Sequence, residues 1–144
     1  MNRDMVRTLT GKLIREIRIE SLLISKKTVC EVLALYLKID HGEWYKFIVS
    51  DGAGKIELLP HEPELISPDS INDDFAYPVK AAHNNYTGHR ITGIKEYLWQ
   101  GKENECNGFY ISLDPGEGFS LFDNDDCLVI VDGIRMERNY ILSD

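Results

Sequence analysis

The stretch TGKLIREIR at residues 10–18 returns as TGHRITGIK at residues 87–95, on a shared skeleton T-G-x-x-I-x-x-I-[R/K]. A chain of 144 residues that opens two segments in the same way is constrained to fold as two similar halves. The agreement runs past the opening motif. Ile14 and Ile17 match Ile91 and Ile94 at an offset of 77, and Cys30, Leu35, Leu37 and Gly42 match Cys106, Ile111, Leu113 and Gly118 at an offset of 76. A one-residue slip in the connecting segment accounts for the change.

Between these anchors the chain alternates. VLALYLKID in the first half and GFYISLD in the second place apolar residues at i, i+2 and i+4, the period of a half-buried strand. Each is followed by a turn, DHGE or DPGEG, and then by a further apolar segment, WYKFIVS or FSLF. Gly supplies positive φ there and Asp bonds to its own backbone ahead, as hairpins require. SDGAG and DNDD introduce the next strands, KIELL and CLVIV. The opening element fits a helical stripe through Leu9, Leu13, Ile14 and Ile17, or an alternating one through Leu13, Ile17 and Ile19. Its copy decides for strand, because HRITGIKEYLWQ carries Gly93 and β-prone Ile, Tyr and Trp. The residues before Gly11 remain open to a short helix.

The expected fold is therefore mainly β (α+β): two similar antiparallel β-meanders packed as a curved sheet, a sandwich or a partly open barrel, with at most short helices. Pairing two half-sheets covers edges that neither hides alone. A single domain spans 1–144, with halves at about 10–59 and 87–133 and a connecting loop at 60–86. That connection holds Pro60, Pro63, Pro68 and Pro78, with at most a helical turn near VKAAHN. At its length it is either a packed excursion across a sheet or a functional segment.

No apolar run approaches the roughly 20 residues of a membrane span, and the N-terminal residues lack a secretory pattern. A cytoplasmic protein is the expectation, with Cys30, Cys106 and Cys127 as reduced thiols, an odd number without C-x-x-C spacing. The formal charge is −8. Residues 1–27 are locally basic, whereas residues 56–79 and 103–134 carry no Lys or Arg and hold six and eight carboxylates. Such a field repels nucleic acid and anionic membrane and attracts basic proteins.

Signatures of catalysis and metal binding fail one by one. His83 and His89 have no ligand neighbours at zinc spacing, Pro63 breaks the helix that HEPEL would need for a zinc pair, and DGAGK leads into a strand rather than a phosphate-binding helix. DNDD lacks the alternating ligands of a calcium loop. There is no nucleophile elbow. No metal, cofactor or catalytic residue is expected, and the protein is read as a non-enzyme. The aromatic residues Trp44, Tyr45, Tyr86 and Trp99 lie beside polar turns, as binding anchors do.

The second half, GFYISLDPGEGFSLFDNDDCLVIVDG, resembles the small immunity proteins that bacteria encode beside contact-dependent and other polymorphic toxins. Residues 87–133 carry the resemblance, with an echo over 10–59. It implies an acidic inhibitor that neutralises a cognate toxin, a basic protein such as a nuclease, by blocking its active site or substrate access. Nucleic acid and membrane are not expected partners. The candidate partner-binding residues are Trp44, Tyr45, Asp73, Asp74, Tyr86, Trp99, Glu117, Asp123, Asp125 and Asp126. The alternatives are a small hydrolase or ligand-binding β-barrel with its site between the meanders, and a homodimer formed through a sheet edge.

Overall fold

The computed structural model describes residues 3–70, 73–82, 85–100, 102, 105–135 and 139–143. A helix, α1 (Arg3–Leu9), precedes the first Thr-Gly pair. Gly11 (φ +90°) ends it in the left-handed conformation, and Gly88 (φ +85°) repeats that geometry in the second copy. An added Cβ would meet nothing within 4 Å at either position, so backbone conformation alone calls for glycine.

The two copies of the motif pair with each other. Gly11 N–H donates to the Ile91 carbonyl (2.7 Å), and Gly88 N–H to that of Ile14 (2.8 Å). Ile14 N–H donates to His89 (3.0 Å) and Ile91 N–H to Lys12 (2.8 Å), around an antiparallel bridge between Leu13 and Arg90. Exchanging the two copies leaves this set of four bonds unchanged, which is the mark of a local two-fold axis. The repeat is thus a clasp in which each copy supplies the partner that the other needs.

From the clasp two antiparallel sheets depart. The first comprises β1 (Ile14–Ile24), β2 (Lys27–Ile39), β3 (Trp44–Ser50) and β4 (Ala53–Leu58), extended beyond β1 by the short β5 (Phe75–Ala76) and β6 (Val79–Ala81). The second comprises β7 (Arg90–Trp99), β8 (Cys106–Asp114), β9 (Phe119–Asn124) and β10 (Cys127–Asp132), with β11 (Tyr140–Leu142) beside β7. The architecture is mainly β, two packed meanders with one short helix, as the alternation indicates. The register shifts just after the clasp in both copies, at Arg15 and at Thr92. Bulges bend strands, which lets two sheets joined at the clasp turn and face each other.

Strand pairing corrects the offset read from the sequence. Ile17 pairs with Leu37 and Ile94 with Ile111, so Leu37 corresponds to Ile111, an offset of 74 rather than 76. The same offset carries Tyr45 and Phe47 onto Phe119 and Leu121, and Ile56 onto Ile130. Only the hairpin closings, Leu22 opposite Cys30 and Leu98 opposite Cys106, keep 76. A two-residue error leaves every side chain on the same face, so an alternating pattern cannot reveal it.

The inward faces form one core that includes Leu9, Ile14, Leu37, Phe47, Phe109, Ile111 and Phe119, with Phe47 and Phe109 edge to face at 5.6 Å. These side chains fill the space between the meanders, where a ligand-binding barrel would hold its site. Each outer face is covered by the segment that follows its fourth strand. On the first sheet Leu59, Ile66 and Val79 pack with Tyr36 and Trp44, and the segment is pinned by Arg18, which donates to the Pro63 carbonyl (2.6 Å) and stacks 4.5 Å from the Trp44 ring. The described parts of the 60–86 connection include a 3₁₀ turn at Pro68–Ser70 and pack on the sheet at Ile66 and Val79, and its 79–81 segment is strand β6 rather than helix. On the second sheet Gly133 and Arg135 cover Tyr97 and Ser120 through hydrogen bonds of 2.6 and 3.1 Å.

The thiols differ from expectation. Cys30 of β2 and Cys127 of β10 form a disulfide between the sheets (Cα–Cα 5.6 Å), and Cys106 is buried and free. The odd count hid a pair 97 residues apart in sequence. Among the described residues, no helix is long and apolar enough to cross a membrane.

Candidate functional site

Strand direction gives the molecule two ends. The clasp, the loops at 40–43 and 115–118, and the last residues of β4 and β10 lie at one. The hairpin tips of both sheets lie at the other. The tips at Ser50–Ala53 and Asn124–Cys127 correspond at the offset of 74, and both have two central residues in the left-handed region: Asp51 (φ +51°) and Gly52 (+73°), Asp125 (+55°) and Asp126 (+63°). Positive φ at both positions defines the tight turn that matches strand twist. The second copy uses two aspartates, a residue type that tolerates this region better than most.

The tips meet across the pseudo-axis. Cys106 N–H donates to the Gly52 carbonyl at 2.8 Å, and Glu105 lies against Gly52. At the symmetry-related junction the Cys30–Cys127 disulfide ties β10 to β2. Asp51 therefore approaches the DNDD turn. Half-buried Asp123 has its pKa pushed up, first by burial and then by the negative charges of Asp126, Asp51 and Asp125, against a partly offsetting hydrogen bond from the Asp126 backbone N–H. One oxygen of Asp123 is buried without a hydrogen-bond partner. The ion pairs among the described residues take in none of Asp51, Asp123, Asp125 and Asp126. Nearby cations are Arg135, which lines the same cleft as Asp123, Lys26 and Lys27 at the β1–β2 tip, and Lys102, which is paired with Glu105 at 3.6 Å.

The ten residues expected to bind a partner separate into three places. Asp123, Asp125 and Asp126 form the acidic tip. Asp73 and Asp74 are exposed at the same end, because the Asp74 carbonyl accepts from Ser25 N–H (2.8 Å) at the β1–β2 tip. Trp99 also ends its strand there, half-buried and edge to face with Tyr140 at 5.3 Å. Trp44 and Tyr45, by contrast, are 3% and 1% exposed and belong to packed clusters. They are structural residues with no surface to offer as anchors. Tyr86 and Glu117 lie at the clasp end. Tyr86 stacks on Phe119 at 4.2 Å and bonds to Asp132, and burial followed by that bond drives its pKa upward.

Sequence reasoning missed Asp51, whose signal was the position 74 residues before Asp125. It also missed the exposed Ile24, Val29, Phe75 and Tyr77. Desolvation, then the charge of Glu96, push the thiol of Cys106, buried at the junction, up to about 12. No group of His, Cys, Asp and Glu among the described residues is arranged to hold a metal ion. His83 lies outside the described residues. An open cleft of about 250 Å³ near the β9–β10 tip is lined by Phe122, Asp123, Asn124, Val129, Arg135 and Tyr140. No family model matches this chain, and neither a characterised protein nor a solved structure does.

Proposed function

We propose that the protein is a stoichiometric inhibitor that captures a basic protein at its acidic tip, in the manner of the immunity proteins its second half resembles. The observation that carries the reading is the convergence of Asp51, Asp123, Asp125 and Asp126 from two separate halves, close enough for their charges to oppose ionisation of Asp123. Folding alone does not favour such crowding, whereas an incoming Lys or Arg relieves it. Carboxylates placed this way steer a cationic partner and raise its rate of encounter. The acidic end then covers the partner's active site or the approach of its substrate, and no chemistry is required of this chain. A disulfide between sheets is a bond that oxidising compartments sustain, so the cytoplasmic expectation is not part of this proposal.

The test is to look for a basic protein encoded beside this chain and to measure its association rate by stopped flow at low and high salt. Reversing the charge of Asp123, Asp125 and Asp126 together should slow association roughly 10- to 100-fold at low salt and flatten its salt dependence. An unchanged rate at low salt would overturn the assignment of this tip.

A further inference from the structure

The two junctions between the sheets are built from corresponding residues. Ala53 and Cys127 each close a hairpin, opposite Ser50 and Asn124, and Cys106 and Cys30 stand opposite Leu98 and Leu22. The junction of β10 with β2 therefore holds two sulfurs, whereas its twin sets Cys106 against Gly52–Gly54 and has alanine where the other has Cys127. The twin is closed all the same. Cys106 N–H donates to the Gly52 carbonyl at 2.8 Å, and packing is so close that a Cβ on Gly54 would stand 2.5 Å from Cys106 Sγ. A junction of this kind does not require a covalent bond.

Residues around the disulfide are held unequally. Leu128 is 3% exposed and belongs to the core, and Cys30 is buried. Cys127 is half-buried, and Asn124, Asp125 and Asp126 are exposed. β10 lies at the edge of its sheet, so ahead of Leu128 the acidic turn is tied to β2 through Cys127. Asp51 faces it from the other half: the charges of Asp126, Asp51 and Asp125 all oppose ionisation of Asp123. Lys26 and Lys27 stand four and three residues before Cys30, and Arg135 lines the cleft beside Asp123. No ion pair among the described residues joins any of them to these aspartates.

We propose that the Cys30–Cys127 bond is a redox control on the acidic tip: closed, it holds the Asp125–Asp126 turn near Asp51, and its reduction by a dithiol frees the turn and weakens the capture of cations. The inference rests on the proposed capture of a basic protein and adds a condition under which capture operates. Exchange begins at the sulfur that solvent reaches. A thiolate of the dithiol attacks Cys127 Sγ, the S–S bond breaks, and Cys30 leaves as a thiolate that takes a proton from water. The second thiolate of the dithiol then attacks its own sulfur in the mixed disulfide and expels Cys127, which is protonated in turn. The dithiol ends as a disulfide, having given up two electrons, and the chain gains two thiols. Once freed, the turn moves apart from Asp51 under the repulsion that the closed form imposes, and a cation no longer meets the aspartates of both halves together. Linkage makes the effect reciprocal: a bound cation renders the disulfide harder to reduce by the same factor.

Two measurements on the full chain test the proposal from both directions, with oligolysine as the cation. Calorimetric titration at low salt should show about fivefold weaker binding to the protein reduced with dithiothreitol than to the oxidised protein, the low end of such couplings. The Cys30→Ala, Cys127→Ala double variant should match the reduced form. In dithiothreitol buffers of graded redox ratio, alkylation followed by mass spectrometry should place half-reduction at a ratio about fivefold more reducing when oligolysine saturates the tip. Amide spectra should keep their dispersion on reduction, with shifts centred on residues 123–127, and buried Cys106 should stay unmodified in both forms. Equal or tighter binding by the reduced form, or a redox midpoint that oligolysine leaves in place, would overturn the control while leaving the tip as the capture site. Loss of dispersion, or alkylation of Cys106 on reduction, would show that the bond holds the whole fold rather than the turn, and would overturn the control as well. Failure of the oxidised protein to bind oligolysine would overturn both readings.

Discussion

Val49 and Asp123 occupy the same place in two copies of one hairpin, 74 residues apart. In the first half the inward position near the tip holds Val49, 4% exposed and part of the core. In the second it holds a carboxylate with one unpartnered oxygen and a raised pKa. Registers, turn geometry and neighbouring core residues agree between the halves, so the difference does not come from the fold. The same contrast recurs at the tips, where Gly52, the residue suited to its left-handed conformation, stands opposite Asp126. It recurs at the junctions too, where a backbone hydrogen bond at Cys106 stands opposite the Cys30–Cys127 bond. A duplicated frame makes such departures readable: where one copy keeps the residue that packing favours and the other replaces it with charge, packing does not account for the charge.

The junctions give the largest expected effect. Replacing Cys127 with Ser opens a link 97 residues apart in sequence, and chain entropy puts the loss at about 4.7 kcal/mol. Denaturant unfolding should register this as a lower midpoint in the variant and in the wild type under reductant alike. Hydrogen exchange should rise mainly in β9 and β10, not in the β3–β4 hairpin that the Cys106–Gly52 bond holds. Equal loosening of both hairpins would mean that the disulfide is not the difference between them.

Next in size is Asp123. Its folded pKa lies above its unfolded one, so the native state binds this proton more tightly. Its contribution is fully present below the unfolded pKa and is lost as pH rises through the folded value. Asp123→Asn should therefore be modestly more stable than wild type at neutral pH, by less than the pKa direction alone suggests, because solvent screens the exposed aspartates around it. The two stability curves should converge as pH falls into the carboxylate range, and a parallel pair of curves would show that Asp123 carries no such charge strain. The smallest effect belongs to the tip. Asp126→Gly restores the residue of the first copy at φ +63° and should stabilise by roughly 0.5 to 1 kcal/mol, seen as a small rise in Tm.

Much of the frame was legible before the structure. Alternation placed the four strands of each half, and Gly93 in the second motif excluded a helical reading of the first. The register was not legible, because a shift of two residues preserves the face of every side chain from Leu35 to Leu37. Nor was the clasp: nothing in T-G-x-x-I announces that its partner is its own copy, since backbone groups make the exchange and side chains do not encode it. Trp44 misled because adjacency to a turn was taken for exposure, whereas Arg18 and residues 59–66 cover it. The acidic turn was found from composition, but Asp51, Phe75 and Tyr77 became visible only when distant segments met at one end.

The central claim is that the hairpin-tip end, and not the clasp end, holds cationic partners. Two pairs related by the offset of 74 test it with equal charge changes: Asp51→Asn with Asp125→Asn at the tips, and Glu43→Gln with Glu117→Gln at the opposite end. Calorimetric titration of oligolysine at low salt should show about tenfold weaker binding for the first pair and less than about a twofold change for the second. Equal losses, or a greater loss from the glutamates, would contradict the account.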